Sequence, residues 1–202
     1  VLRSMAFDPG DELLVTDHTY DACRCAVRYV AERTHADIVV AEIPFPIDNQ
    51  QTVVERILEA VTPRTELALV DHVTSPTGLI FPVDTIVDRL HARDVDVLVD
   101  GAHAPGMLDL DLESIGAEFY TGNCHKWLCA PKGAAFLHVD EHHRDVIHPL
   151  SISDGYCQTS ETRSSFHLEF DWTGTDDPTP FLCIPEAIAC LDSLLPEGWD
   201  DL

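Results

Sequence analysis

Along residues 11–47 the apolar positions change period twice. LLVT (13–16) is a short unbroken apolar run suited to a strand buried on both faces, ACRCAVRYVAER (22–33) repeats at helical spacing, and DIVVAEI (37–43) reads as a second strand. The alternation continues downstream. TVVERILEAV (52–61) is helical and stops at Thr62-Pro63, ELALVDHV (66–73) is a strand with a polar end, and PVDTIVDRLHARD (82–94) is a helix opened by proline. VDVLVDGAH (95–103) is a buried strand closed by Asp100, DLESIGA (111–117) a short helix, and FYTGN (119–123) and AAFLHV (134–139) are strands flanking a loop. The opening VLRSMAF reads as the end of a helix, Ser151 to Asp177 as a long polar loop with aromatic residues, and PEAIACLDSLL (185–195) as a last helix.

Strands alternating with helices predict an α/β fold, one three-layer α/β/α domain over residues 1–202 with a mainly parallel sheet. In such a sheet the functional groups gather beyond the carboxyl ends of the strands. Those ends carry Asp17-His18, His72-Val73-Thr74-Ser75, Asp100-Gly101-Ala102-His103 and the loop after Asn123.

Charge narrows the classes of partner. The chain holds 36 acidic residues against 12 basic ones, a formal net charge of −24, and the acids are spread along its length. A phosphate backbone or an anionic membrane would meet a field of its own sign, so no nucleic-acid and no membrane partner is expected. Such a surface suits a protein adapted to high salt, where repulsion between carboxylates is screened over a short distance, and an ordinary acidic protein is the plainer alternative. No apolar run reaches the roughly eighteen residues of a membrane span and no signal-peptide pattern is present, so the expectation is a cytoplasmic protein. Seven cysteines at irregular spacing suit reduced thiols. Cys124, His125 and Cys129 match no common zinc spacing, and His138, His142, His143 and His148 read as a solvated helix start rather than a metal site.

The two lysines of the chain, Lys126 and Lys132, both fall in FYTGNCHKWLCAPKG (119–133), against ten arginines elsewhere. A lysine kept in a chain that otherwise uses arginine is expected to be needed as an amine. Asp100 ends a strand apolar enough to be buried, and a carboxylate held there needs a cationic partner. A parallel sheet should place His103, His72, His18 and Lys126 near it, with Trp127 and Phe119 as walls. A nucleophilic lysine beside a carboxylate is the pair that pyridoxal phosphate demands, one to form the Schiff base and one to keep the pyridine nitrogen protonated.

VLVDGAHAPG followed by YTGNCHKWLCAPKGAAFL, with VDHVTSPTGLIFPV before and WTGTDDPTPFL after, resembles the class V aminotransferase superfamily of pyridoxal-phosphate enzymes, fold type I, in the form seen in isopenicillin N epimerase-like proteins. The resemblance implies the large, cofactor-binding domain of such an enzyme, with pyridoxal 5'-phosphate as cofactor and an amino acid or amino-acid-like amine as small-molecule substrate. It assigns Lys126 to the Schiff base and to proton transfer at the substrate α-carbon, and Asp100 to the pyridinium nitrogen. It places His103 near the phenolic oxygen, His125 and Asn123 at the phosphate, and His18 as the ring stacked on the cofactor, with Tyr20 competing for that role. Ser75 stands where desulfurases of the superfamily have an asparagine, which weakens a desulfurase reading, and Thr175 matches a threonine that reaches the phosphate of a second subunit, so a homodimer is implied. Lys132 reads as a loop charge.

The resemblance also implies a chain truncated at both ends relative to the family, without the segment that cradles the phosphate and without the small domain that carries a substrate-clamping arginine. Epimerisation ranks first among the reactions, carbon–sulfur lysis second and transamination third, all beginning with removal of the α-proton. A non-catalytic remnant that keeps the fold and a metal hydrolase are the competing classes.

Overall fold

The computed structural model describes residues 1–194 and 196–201. Its strands are β1 (Glu12–Thr16), β2 (Asp37–Ala41), β3 (Thr65–Asp71), β4 (Asp96–Gly101), β5 (Phe119–Gly122) and β6 (Phe136–Val139). They form one sheet in the order β2-β1-β3-β4-β5-β6, parallel except for β6, which runs antiparallel to β5. Helices α1 (Asp21–Thr34), α2 (Gln50–Ala60), α3 (Val83–His91) and the single turn α4 (Leu112–Ile115) connect them, and α5 (Ser165–Asp171), α6 (Thr179–Leu182) and α7 (Ile184–Asp192) follow.

The unbroken apolar runs belong to strands covered on both faces. Leu14, Ala68, Val70, Val97 and Val99 face one way and pack with Val53, Val54 and Ile57 of α2 and Ile86, Val87 and Leu90 of α3. Their neighbours Leu13, Val15, Leu67, Leu69 and Leu98 face the other way, against Val27, Val30 and Ala31 of α1 and the α5 rings Phe166 and Phe170. This is the three-layer arrangement, with the period of two in each strand dividing its side chains between two cores.

Two expectations are corrected. VLRSMAF closes one hydrogen-bonded turn, Ser4 and Met5 both bonding to the Val1 carbonyl, instead of a helix. Its apolar residues Val1, Leu2, Met5 and Phe7 lie on the second core, and tertiary burial does what helical periodicity suggested. The stretch from Ser151 to Asp177 is not all loop. It contains a short 3-10 turn, Asp154–Cys157, and α5, capped by Ser164, with the Phe166 ring packed at a tilt against Phe170, centroids 4.5 Å apart. A seven-residue helix has little intrinsic stability and forms here because its rings reach the core. The last helix is shorter than its pattern, and Leu195, at the end of that pattern, lies outside the described residues.

Candidate active site

The chain runs from β1 outward to β2, then crosses back to build β3, β4 and β5 on the other side, so the strand order reverses between β1 and β3. Crevices beyond such a reversal are where open α/β sheets bind ligands. Asp71 and Asp100 sit side by side there, paired across β3 and β4.

Asp100 is 7% exposed. One carboxylate oxygen accepts the Ala102 backbone N–H at 3.0 Å and the other the Cys23 thiol of α1 at 3.2 Å. Burial, with the charge of Asp100, pushes the Cys23 thiol up to about 12, so it stays protonated and donates. Asp71 is 2% exposed, and its Oδ2 has no hydrogen-bond partner among the described residues. Burial first, then the neighbouring Asp100, raise its carboxyl to about 7, against the opposing effect of the Thr19 hydroxyl and the Tyr20 N–H. Among the described residues Asp100 makes no ion pair. A buried carboxylate with only neutral donors is short of a cation, which is a fit for a pyridinium.

Lys126 stands in the loop between β5 and β6. The His125 backbone N–H and its Nδ1 both bond to the Ala134 carbonyl, at 3.1 and 2.8 Å, the Lys126 N–H reaches the Asn123 carbonyl, and the Ala130 N–H reaches that of Cys124. Cys124, Leu128, Ala130 and Ala134 form a third core with Ile184, Ala187 and Leu191 of α7, which anchors the loop from outside the sheet. Lys126 Nζ lies 3.1 Å from His103 Nε2, and the Trp127 indole N–H donates to His103 Nδ1 at 3.1 Å. Burial, then the adjacent Lys126, lower the His103 pKa, with Asp100 acting in opposition. Gly106, at φ 81°, lets the turn after His103 touch this loop: a Cβ there would stand 2.6 Å from the Leu128 backbone nitrogen.

Lys126 and His103 are in direct contact and Asp100 acts on the His103 ring, and Asn123 and His125 lie half-buried beside Lys126 in the chain. His18 does not join them. It is 6% exposed, with Nδ1 2.8 Å from the Thr77 hydroxyl, Nε2 3.0 Å from the Ile43 carbonyl, and its ring between Phe45 and Phe81. The aromatic ring open at this strand end is that of Tyr20, 49% exposed, whose N–H bonds to Asp71. His72 also turns away, its Nδ1 2.8 Å from the Tyr120 hydroxyl in the core. Ser75 is exposed in the turn after β3, and Thr175 is exposed between α5 and α6. The histidines of 138–148 separate: His143 pairs with Asp96 at 3.4 Å and His148 with Glu169 at 2.7 Å. Sequence reasoning missed Asp71 and Cys23. Asp71 was detectable, since it closes an apolar strand as Asp100 does, whereas only the packing of α1 on the sheet brings Cys23 to Asp100.

A buried carboxylate short of a cation and a lysine beside a histidine, at the reversal of a mostly parallel sheet, make a candidate cofactor-binding site in an α/β domain. The chain belongs to the family described as aminotransferase class-V, whose model matches residues 1–189. It is 37% identical over 191 residues to the isopenicillin N epimerase of Amycolatopsis lactamdurans, covering 89% of this chain and 48% of that protein. It is 31% identical over 197 residues to a probable chloroplastic L-cysteine desulfhydrase of Arabidopsis thaliana, covering 92% and 40%. The chain therefore spans about half, or less, of the curated relatives it matches. Its fold superposes with a TM-score of 0.75 on a lysine-to-alanine variant of C-DES with glycine covalently linked to its pyridoxal phosphate cofactor, at 23% identity, covering 93% of this chain and 50% of that one.

Proposed function

We propose that this chain is the cofactor-binding part of a pyridoxal 5'-phosphate enzyme that acts on an amino acid as its small-molecule substrate, with epimerisation as its reaction. The observation that carries the cofactor is Lys126 Nζ at 3.1 Å from His103 Nε2 beside the unpaired, buried Asp100. Bound there, pyridoxal phosphate supplies an electron sink for the bonds of the substrate α-carbon. Lys126 holds the group through Nζ and moves the α-proton, and Asp100 faces the pyridine nitrogen, oriented by Ala102 and Cys23. His103 directs its ring nitrogen to the phenolic oxygen. Asn123 and His125 take the phosphate, and because His125 Nδ1 is committed to Ala134, its Nε2 is the atom left for an anion. Tyr20 covers the face of the ring, His18 supports the turn from beneath, and Thr175 belongs to a homodimer contact. The identity to an isopenicillin N epimerase supports epimerisation, and that to a cysteine desulfhydrase favours carbon–sulfur lysis as the second reading.

The test is to incubate the chain with pyridoxal phosphate in molar salt, reduce it with borohydride and locate the modified lysine by mass spectrometry. Label on Lys126, lost in Lys126→Ala, is expected; label shared with Lys132, or none, overturns the site and favours a remnant that keeps only the fold. Loaded protein in deuterated water then separates the reactions, since epimerisation exchanges the α-proton without release of sulfide and lysis of cysteine releases it.

A further inference from the structure

We propose that Trp127 is a positioning residue that fixes the tautomer of His103 and so aims an N–H at Lys126. An indole nitrogen donates and does not accept. Trp127 Nε1 lies 3.1 Å from His103 Nδ1, so Nδ1 is the acceptor and the single ring proton of the neutral imidazole sits on Nε2. Nε2 in turn lies 3.1 Å from Lys126 Nζ, and an N–H on Nε2 is accepted there only by the neutral amine, whose lone pair is also what a lysine uses to bond to a carbonyl carbon. The other tautomer sets the Nδ1 proton against the indole proton. So does the imidazolium, and burial already lowers the pKa of His103.

The backbone holds this relay in register. The turn after β4 is closed by the Ala104 N–H on the Gly101 carbonyl and the Met107 N–H on that of Ala104, and Gly106 seats the turn against residues 127 and 128. Trp127 is 52% exposed, so it contributes little to the core, and its indole N–H is what distinguishes it from another apolar cover. The charged groups acting on the His103 ring are Lys126 and Asp100; Asp100 makes no hydrogen bond to the ring, a Lys126 ammonium would donate to Nε2 and favour the other tautomer, and the indole N–H at Nδ1 is the contact that selects the Nε2–H form.

The consequence for catalysis rests on Lys126 being the lysine that takes the cofactor, but the test does not. Cofactor-free chain carrying 15N-histidine is studied by long-range nitrogen–proton NMR, with His103 assigned by loss of its signal in His103→Gln. The wild type is expected to show Nε2 protonated. In Trp127→Phe the ratio of the Nε2–H to the Nδ1–H form should fall about fivefold, the worth of one net hydrogen bond, and His103 should titrate at higher pH once its imidazolium no longer faces an indole N–H. A merely structural Trp127 leaves both readouts unmoved. The proposal is overturned by a wild-type ring protonated on Nδ1, or by a Phe variant with the wild-type ratio and titration; Trp127→Leu gives the same comparison if the Phe variant does not fold. Failure here leaves the borohydride labelling of Lys126 standing, and failure of the labelling leaves the tautomer measurement standing.

Discussion

Asp71 and Asp100 end adjacent strands with their carboxyl groups at one place, and desolvation falls more heavily on the one with an unsatisfied oxygen. With its carboxyl raised to about 7 by burial and by Asp100, Asp71 keeps a proton in the folded chain that the unfolded chain, near 3.8, has already released. The stability this gives is fully present below the unfolded value and is lost as pH rises through about 7. Asp71→Asn removes the titration. Its stability should fall less than that of the wild type between about pH 4 and about pH 7.5, by up to about 4 kcal/mol at roughly 1.4 kcal/mol per unit. Denaturant titrations of the cofactor-free chain in molar salt measure this, and equal pH dependence in the two proteins would show that Asp71 is ionised throughout.

The elements around the site are joined at few points, and Gly106 is one of them. Gly106→Ala should destabilise the chain by about 2 kcal/mol, because the residue has positive φ and its Cβ meets backbone. It should also weaken labelling of Lys126 by separating the His103 turn from the lysine loop. Gly133→Ala is the control: it shares the positive φ, at 97°, but faces open space, so strain without loss of labelling is expected. Labelling lost equally in both would assign the effect to loop strain and not to the contact. At α2, the Asn49 side chain accepts the Thr52 N–H, and Asn49→Ala should cost about 1 kcal/mol in thermal unfolding. The one long misreading of an element has the same origin as these contacts. α5 was not legible because seven residues offer too few turns for a period to show, and its existence depends on Phe166 and Phe170 finding the core.

For the whole molecule, −24 formal charges on 202 residues make self-repulsion a term in folding. Raising the salt from about 0.1 M to above 1 M shortens the Debye length from about 10 Å to under 3 Å. The thermal midpoint of this chain should rise across that range in potassium chloride, and an unchanged midpoint would return it to the class of ordinary acidic proteins. Among the described residues no helix is long and apolar enough to cross a membrane.

What the sequence alone determined is the alternation of strands and helices, hence the three-layer sheet, and it singled out Lys126, Asp100 and His103 as candidates because they stand at strand ends and in the loop that holds both lysines. Burial and partner choice belonged to the tertiary structure. His18 and Tyr20 are two residues apart, and nothing local says which ring is enclosed by Phe45 and Phe81 and which stays open. The thiol of Cys23 meets Asp100 across 77 positions, and the proton on His103 is placed by an indole 24 residues away. A hydrogen bond needs its two atoms within about 3 Å, and only the packing of helices on the sheet sets separations between distant residues that finely.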